Sequence, residues 1–330
     1  TACRHLPIVQ STKPTFNVTR ESRLLSGRGL VKNSSDTILN TRGGTVTMPF
    51  DMIATPKLLA QHLALVSQEH SESGSYVHLT EIGGQGANIS SIGGSISNNI
   101  PHTVNLAYYP KAGEGIKLTG VMCSDLTLSL DFGTNGGFMN MSGNYYSGFS
   151  NPVSTGTVLE QTFDGTFLAP ETAGYYNIAD MSTKTLTVDG ANMDIVLKSF
   201  DVTISNGVNR VGFNSNGDAE AYSIPEYAVT GNMTVKYDAN VDYGAGENVV
   251  QDFLDGDTLA IAINIGDGTV SSIGEANIAM NVQYTGDPAQ DISENGIFHS
   301  LAFEGVSTGS SDTNEALQMS VFSGESQSAW

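Results

Sequence analysis

One nine-residue pattern occurs twice in this chain, and it constrains the fold more than any single residue does. Residues 43–51 read GGTVTMPFD, and residues 230–238 read TGNMTVKYD. Both segments alternate in side-chain type with period two, which is typical of a half-buried β-strand. Each is followed, after a short spacer, by a small apolar helix signal, at 58–66 and at 249–254. Two copies of one strand-then-helix unit predict a duplicated fold.

The elements that follow the two units agree in their order. Strand-like segments correspond pairwise at 76–83 and 258–266, at 104–109 and 278–284, and from residues 115 and 296 onward. We therefore expect a mainly β protein with one short helix per copy. Its strands should pair through hairpins into an open antiparallel sheet or barrel.

The predicted organisation has four parts. Residues 1–42 are polar, basic and irregular, and we expect an extended N-terminal arm with short strands. Residues 43–146 form the first predicted domain, and residues 183–330 form the second. The Ser-, Thr- and Gly-rich stretch 147–182 is predicted to be a linker or insertion that Tyr175–Tyr176 anchors.

The helix signal in the first copy is the most detailed. Thr55 is a good N-cap, and Pro56 falls where proline is tolerated, at the first helical position. Leu59, Leu63 and Val66 are spaced to lie on one face of a three-turn helix. A helix this short needs tertiary packing, so we expect it to lie against a sheet.

Charge is distributed unevenly along the chain. The whole sequence has 14 basic and 34 acidic residues, a net charge of −20. Residues 1–57 hold eight basic and three acidic residues, a net of 8 − 3 = +5, which leaves −25 for the remainder. Most of the molecule should therefore repel a polyanion such as DNA. The basic stretch could bind nucleic acid, but its arginines lack interleaved aromatics, and we favour binding to the acidic body of a neighbouring subunit.

No catalytic motif, cofactor fingerprint or metal-ligand spacing is present in the sequence. His62, His70 and His78 share an eight-residue spacing, but we expect core or solvated histidines rather than a metal site. Cys123 lies in an apolar strand and is predicted to be a small core residue. No signal peptide or membrane-spanning run is evident, which favours a cytoplasmic origin. We expect no enzyme activity and no cofactor.

Several segments together resemble the long, duplicated tail tube proteins of non-contractile-tailed bacteriophages. They are the arm FNVTRESRLL at 16–25, residues 37–42, the 43–51 strand with its 55–66 helix, and VTGNMTVKY at 229–237. The resemblance implies tandem tube-like β-sandwich or barrel domains, each with one flanking helix. It also implies that the sheets of neighbouring subunits join into a β-barrel lumen, and that rings stack into a tube.

The resemblance implies further partners and contacts. A duplicated member is expected to form a trimeric ring with pseudo-sixfold symmetry, and a hexamer is the alternative. The partners would be other copies of the chain, tail tip or initiator proteins and terminator proteins. DNA and the tape measure protein would pass through an acidic lumen. We expect contacts between subunits or rings from the arm, the 83–99 loop and the C-terminus. The candidate residues are Arg20, Arg23, Arg28, Arg42, Gly84, Gly86, Asn88, Ile92 and Trp330.

Two other classes of function fit parts of the sequence. A surface adhesin or carbohydrate-binding β-sandwich would account for the abundance of Gly, Asn, Ser, Thr and Tyr, and monomeric glycan binding would favour it. A capsid or decoration protein of another fold would form shells or spikes instead of tubes. In the tail tube interpretation the protein is located in the virion tail after assembly in the host cytoplasm.

Overall fold

A computed structural model describes twenty segments of the chain. They are residues 6, 13–17, 20–22, 37–39, 45–67, 69–73, 77–82, 102–111, 114–131, 137–147, 176, 185–188, 191–192, 197–213, 219–236, 249–265, 275–287, 289–293, 296–308 and 315–324. Every structural statement below concerns these residues.

The described residues form a mainly β structure with two helices. The first half contains β1 Thr15–Asn17, β2 Arg20–Ser22, β3 Thr37–Leu39, β4 Thr45–Ile53, α1 Pro56–Val66, β5 Glu69–Ser73, β6 Val77–Ile82, β7 Val104–Lys111, β8 Glu114–Asp131 and β9 Asn140–Ser147. The second half contains β10 Thr185–Val188, β11 Ala191–Asn192, β12 Leu197–Ser205, β13 Asn209–Phe213, β14 Ala219–Ser223, β15 Ala228–Lys236, α2 Val249–Asp255, β16 Leu259–Ile265, β17 Ala276–Tyr284, β18 Ala289–Ser293, β19 Gly296–Gly305 and β20 Leu317–Phe322. Neither helix is long and apolar enough to cross a membrane.

Sixteen of the strands belong to one antiparallel sheet. Its main path runs β1-β4-β9-β8-β12-β15-β19-β17-β16-β10-β11. The C-terminal strand β20 pairs with β17 and also with β6 from the first half of the chain. The mainly β fold predicted from the sequence is therefore confirmed. Along the main path the strands of the first half precede those of the second half, and the pairing of β6 with β20 joins the two halves a second time.

Period-two alternation gives the central strands one buried face. Along β8, Leu126, Leu128 and Leu130 are buried, and the residues between them are partly exposed. The buried faces of β4, β12 and β15 belong to the same hydrophobic cluster as those of β16, β17 and β20. The buried faces of these strands therefore line one continuous core.

Helix α1 packs inside this core. The Thr55 hydroxyl accepts a hydrogen bond from the Leu58 amide at 3.3 Å, and Pro56 opens the helix, as the sequence predicts. Leu59, Leu63 and Val66 are fully buried. Burial extends well beyond the single predicted face, because α1 contacts β5, β6, β8 and β20. The predicted apolar stripe is therefore correct but incomplete.

Asn206 ties the two halves together where β12 ends. This fully buried side chain donates to the carbonyls of Cys123 at 2.8 Å and Val66 at 3.3 Å, and it accepts from the Val208 amide. One residue thus links β12 to the bulge in β8 and to the last turn of α1. Buried polar groups satisfied in this way fix one arrangement of their neighbours.

Other predicted features have matching elements. The repeated pattern forms β4 and β15, two nine-residue strands whose aligned residues Val46/Met233 and Met48/Val235 are all buried. Cys123 is buried, as predicted, and Tyr176 is a buried residue whose carbonyl accepts from the Met139 amide at 2.9 Å. The division into two domains and the tandem duplication stay predictions.

Candidate functional site

The six central strands present a continuous polar surface on the side away from the core. We call it the polar face. It consists of the non-core side chains of β4, β9, β8, β12, β15 and β19, which are consecutive neighbours in the sheet. Its middle row, read across the register, is Asp51, Ser142, Thr127, Thr203, Thr230 and Glu304.

Carboxylates supply most of the charge on the polar face. Its acidic residues are Asp51, Asp125, Asp131, Asp201 and Glu304, and its basic residues are Lys236 and, at a bulge in β12, Lys198. The remaining positions are mainly Ser, Thr and Asn. The face is therefore hydrophilic and net negative, and it would repel a polyanion except near these two lysines.

Hydrogen bonds between side chains fix the carboxylates in place. Asn144 donates to both oxygens of Asp125, at 3.1 and 3.0 Å, and Asn140 donates to Asp51 at 2.6 Å. The Thr127 and Thr203 hydroxyls are hydrogen bonded at 2.8 Å. Partial burial raises the pKa of Asp201 above its usual range, and a hydrogen bond from the Asn232 backbone opposes that shift. These contacts make an ordered surface rather than a set of free side chains.

The register is symmetric about the Thr127–Thr203 pair. Two residues before each threonine lie Asp125 and Asp201, which pair with Asn144 and Asn232 respectively. On the outer strands, Phe50 pairs with Gly143 as Phe303 pairs with Gly231. By the same count, Asp51 corresponds to Glu304 across the middle row. The polar face thus has a local pseudo-twofold axis that relates β8 to β12, β9 to β15 and β4 to β19.

Two glycines allow the close approach of strands on which this symmetry depends. A Cβ atom on Gly143 would lie 2.2 Å from the Asp125 carbonyl oxygen, and one on Gly231 would lie 2.3 Å from that of Asp201. Phe50 and Phe303 cover the two glycines from the core side. Glycine inside a strand, with an aromatic ring from the neighbouring strand over it, is typical of strongly bent sheets.

A basic and aromatic patch interrupts the acidic pattern near one end of the face. Phe298 lies opposite Lys236 in the register. Lys198, at a bulge in β12, places its Nζ 4.7 Å from the centre of the Phe298 ring. Both lysines are exposed. The position related to Phe298 by the pseudo-twofold axis is Thr45, so the patch departs from the symmetry.

Comparison with known protein families identifies a match that covers much of this sheet. A family model described as phage tail tube protein matches residues 101–305, more than half of the chain, from just before β7 to the end of β19. The chain belongs to the phage tail tube protein family. No curated protein matches it at a significant level. Membership makes it a structural component of the viral tail and implies a non-enzymatic role.

Most of the predicted contact residues of this tail tube protein lie outside the described residues. These are Arg23, Arg28, Arg42, Gly84, Gly86, Asn88, Ile92 and Trp330. Arg20 is in β2, where its backbone pairs with Leu39 of β3. Their contacts with other subunits stay predictions.

The three spaced histidines fall in two different places. His62 is buried in the core, where its Nε2 accepts from the Tyr145 hydroxyl at 2.6 Å and its Nδ1 donates to the Leu58 carbonyl at 2.7 Å. His70 and His78 stack at 5.4 Å, and His102 contacts His70 edge-on at 5.8 Å. In the part of the chain that the structure describes, no group of three His, Cys, Asp or Glu side chains is placed to hold a metal.

The sequence contains a second repeat that the strand-then-helix comparison missed. Residues 125–129 read DLTLS and residues 201–205 read DVTIS; 142–144 read SGN and 230–232 read TGN. These segments are the strands that the pseudo-twofold axis relates. They are detectable as short matches. In the chain, however, β4 comes before β8 and β9, whereas β19 comes after β12 and β15. A tandem comparison therefore does not align the two sets of strands.

Proposed function

We propose that copies of this tail tube protein form rings that stack head to tail, and that the polar face lines the lumen through which DNA leaves the virion. The observation that carries this proposal is the polar face itself. Six consecutive strands present hydroxyl, amide and carboxylate groups on one side and a closed core on the other. A net negative wall conducts DNA without adhering to it, because phosphates are repelled.

The sheet contains two successive sets of strands with the same order of directions, and a ring of three chains would use both sets. β1, β4, β9 and β8 alternate in direction, and β12, β15 and β19 continue the alternation, with β17 and β18 together along the far edge of β19. Each chain would then supply two sets of four strands, and a trimer would have pseudo-sixfold symmetry. A hexamer is the alternative if only one set faces the lumen. The open strand edges would be paired by ring closure.

The other partners follow from the same role. The tape measure protein and genomic DNA would occupy the lumen in turn without sequence-specific contacts, and initiator and terminator proteins would bind the two ends of the tube. We place assembly in the host cytoplasm. The basic arm with Arg20, Arg23, Arg28 and Arg42, and the 83–99 loop, are our candidates for contact with the acidic surface of the next subunit or ring.

Electron microscopy with site-specific labelling tests the proposal. End-on averages of the assembled protein should show a hollow ring, and their rotational symmetry separates three chains from six. A Thr230→Cys variant places a thiol on the polar face, and Ala279→Cys places one on the exposed face of β17, beyond the core. In assembled tubes a bulky maleimide should label residue 279 and not residue 230, although both react in the monomer. Equal labelling in tubes would contradict the lumen assignment.

Deleting residues 85–97 tests the role of the loop separately. We expect rings of normal symmetry that no longer elongate into tubes. A matched control is a polar linker of the same length in place of these residues, which keeps chain spacing but removes the side chains. Normal tubes from the deletion variant would contradict the loop assignment without affecting the lumen proposal.

A further inference from the structure

The polar face carries one cationic position whose geometry is unlike the rest of the surface. Lys236 is the last residue of β15, and by the alternation of that strand its side chain projects on the same side as Thr234 and Asn232. Phe298, opposite Lys236 on β19, is on that side as well. The ammonium group of Lys198 reaches the same ring from β12. Phe298 thus contacts the ammonium group of Lys198 and pairs with Lys236 in the register.

The local structure holds Lys198 in this position. The register of β12 against β15 shifts between Leu197 and Ser199, and Lys198 is the additional residue at that bulge. A β-bulge re-aims a side chain relative to the strand. Attraction between the ammonium group and the face of the ring then limits where the lysine points. The patch is therefore partly organised before any ligand binds.

The surrounding charge makes this arrangement unusual. Residues 58–330 carry six basic and 31 acidic residues, and two of those six basic residues are the lysines beside Phe298. The neighbouring rows contain carboxylates, among them Asp131 and Asp201. An exposed pair of ammonium groups within an acidic wall would attract a ligand with closely spaced negative charges, and phosphate groups of duplex DNA have that character.

We propose that Lys198, which contacts Phe298, and Lys236, which lies opposite Phe298, form a phosphate-binding station for duplex DNA on the polar face. This inference rests on the proposed lumen. In a ring the patch is repeated by symmetry, so the lumen would have a girdle of lysines at one level between acidic rows. Such a girdle contacts any sequence, because phosphate contacts carry no base information. It would hold DNA weakly and reversibly while the acidic rows keep it from adhering elsewhere.

Lysine footprinting on the assembled full chain tests the station directly. Tubes are treated with an amine-acetylating reagent with and without short duplex DNA, and modification is read by mass spectrometry. Acetylation of residues 198 and 236 should slow at least threefold when DNA is present, and that of the reference residue Lys57, which lies in α1 outside the polar face, should not. Unchanged rates at residues 198 and 236 in DNA-loaded tubes would overturn the proposal.

A paired variant provides an independent readout. Lys198→Gln/Lys236→Gln should assemble into tubes of normal symmetry but bind duplex DNA more weakly. The log–log slope of its salt dependence should fall by about 0.9 for each phosphate that the lysines no longer neutralise. Lys57→Gln, in α1 and outside both the arm and the polar face, is the control for the loss of a lysine. If the first variant forms rings that do not stack, the lysines bind a second copy of the chain and the DNA assignment is wrong. Failure of the unaltered protein to form rings would instead contradict the proposed function.

Discussion

The two sides of the pseudo-twofold axis are alike at the centre of the sheet and different at its periphery. Near the axis, Asp125, Asn144 and Gly143 have counterparts of the same residue type, Asp201, Asn232 and Gly231. Away from it, one side rests on the buried helix α1, whereas α2 on the other side contacts mainly β17 and leaves Leu254 68% exposed. Few residue types fit at the centre, because the strands approach each other closely there. At the periphery, the elements that pack against the sheet determine which residue types fit.

The buried layer beneath the polar face shows the same contrast. Tyr145, two residues after Gly143, hydrogen bonds to His62 of α1 and packs 4.4 Å from the Phe50 ring, centre to centre. Its counterpart two residues after Gly231 is Met233, which is equally buried but apolar. A Tyr–His pair connects sheet to helix on one side, and methionine fills the corresponding space on the other.

The largest expected effect comes from the two central glycines. Gly143→Ala and Gly231→Ala each place a Cβ within 2.3 Å of a backbone carbonyl oxygen, which only a shift of the strands can relieve. We expect each to lower the free energy of unfolding by roughly 3–5 kcal/mol. The control is Gly286→Ala, where a Cβ has no neighbour within 4 Å, and its effect should stay within about 0.5 kcal/mol. Urea unfolding monitored by circular dichroism measures all three. A large loss of unfolding free energy at only one of the two central glycines would show that the two sides of the axis are not energetically equivalent.

The helices provide the next largest difference. Leu63→Ala in α1 removes a fully buried side chain and should cost about 2–5 kcal/mol. Leu254→Ala in α2 removes a mostly exposed one and should change stability by less than about 0.5 kcal/mol. The same unfolding measurement applies. Comparable losses from both would mean that α2 contributes to the core as α1 does.

Sequence patterns predicted the local elements but not their partners. Alternation identified β4 and β15, and the Thr55–Pro56 cap identified the start of α1, because these signals depend on neighbouring residues. The pairing of β8 with β12 and of β6 with β20 joins residues far apart in the chain, and no local pattern encodes that register. The Lys198–Phe298 contact was unpredictable for the same reason, since it depends on a bulge.

Acid should affect the α1 side of the molecule before it affects the central strands. Burial, together with the neighbouring His78 and His102, lowers the pKa of His70 to about 3. Burial also lowers the pKa of His102, and Glu72 lies opposite His78 in the β5–β6 register. A depressed histidine pKa means that the unfolded chain binds the proton more readily. The stability that the folded protein gains by keeping His70 neutral is present above pH 6.5 and is lost as the pH falls toward 3.

The loss should approach about 1.4 kcal/mol per pH unit below pH 6 for one such group, reduced by solvent screening. Melting temperatures measured between pH 7.5 and 5 should therefore fall, and His70→Asn should flatten the profile over that range. A profile that is unchanged in His70→Asn would show that other groups cause the acid sensitivity.

The smallest expected effect concerns the pair at the axis itself. Thr127 and Thr203 share one hydrogen bond at 2.8 Å on the partly exposed polar face, where water competes for both hydroxyls. Valine keeps the shape of threonine and the β-branching that strands favour, so Thr127→Val and Thr203→Val isolate the hydroxyl contribution. A double-mutant cycle should give a coupling energy of about 0.5–1.5 kcal/mol. A coupling near zero would mean that the two hydroxyls interact with solvent instead, and that backbone pairing and the flanking glycines maintain the symmetry without them.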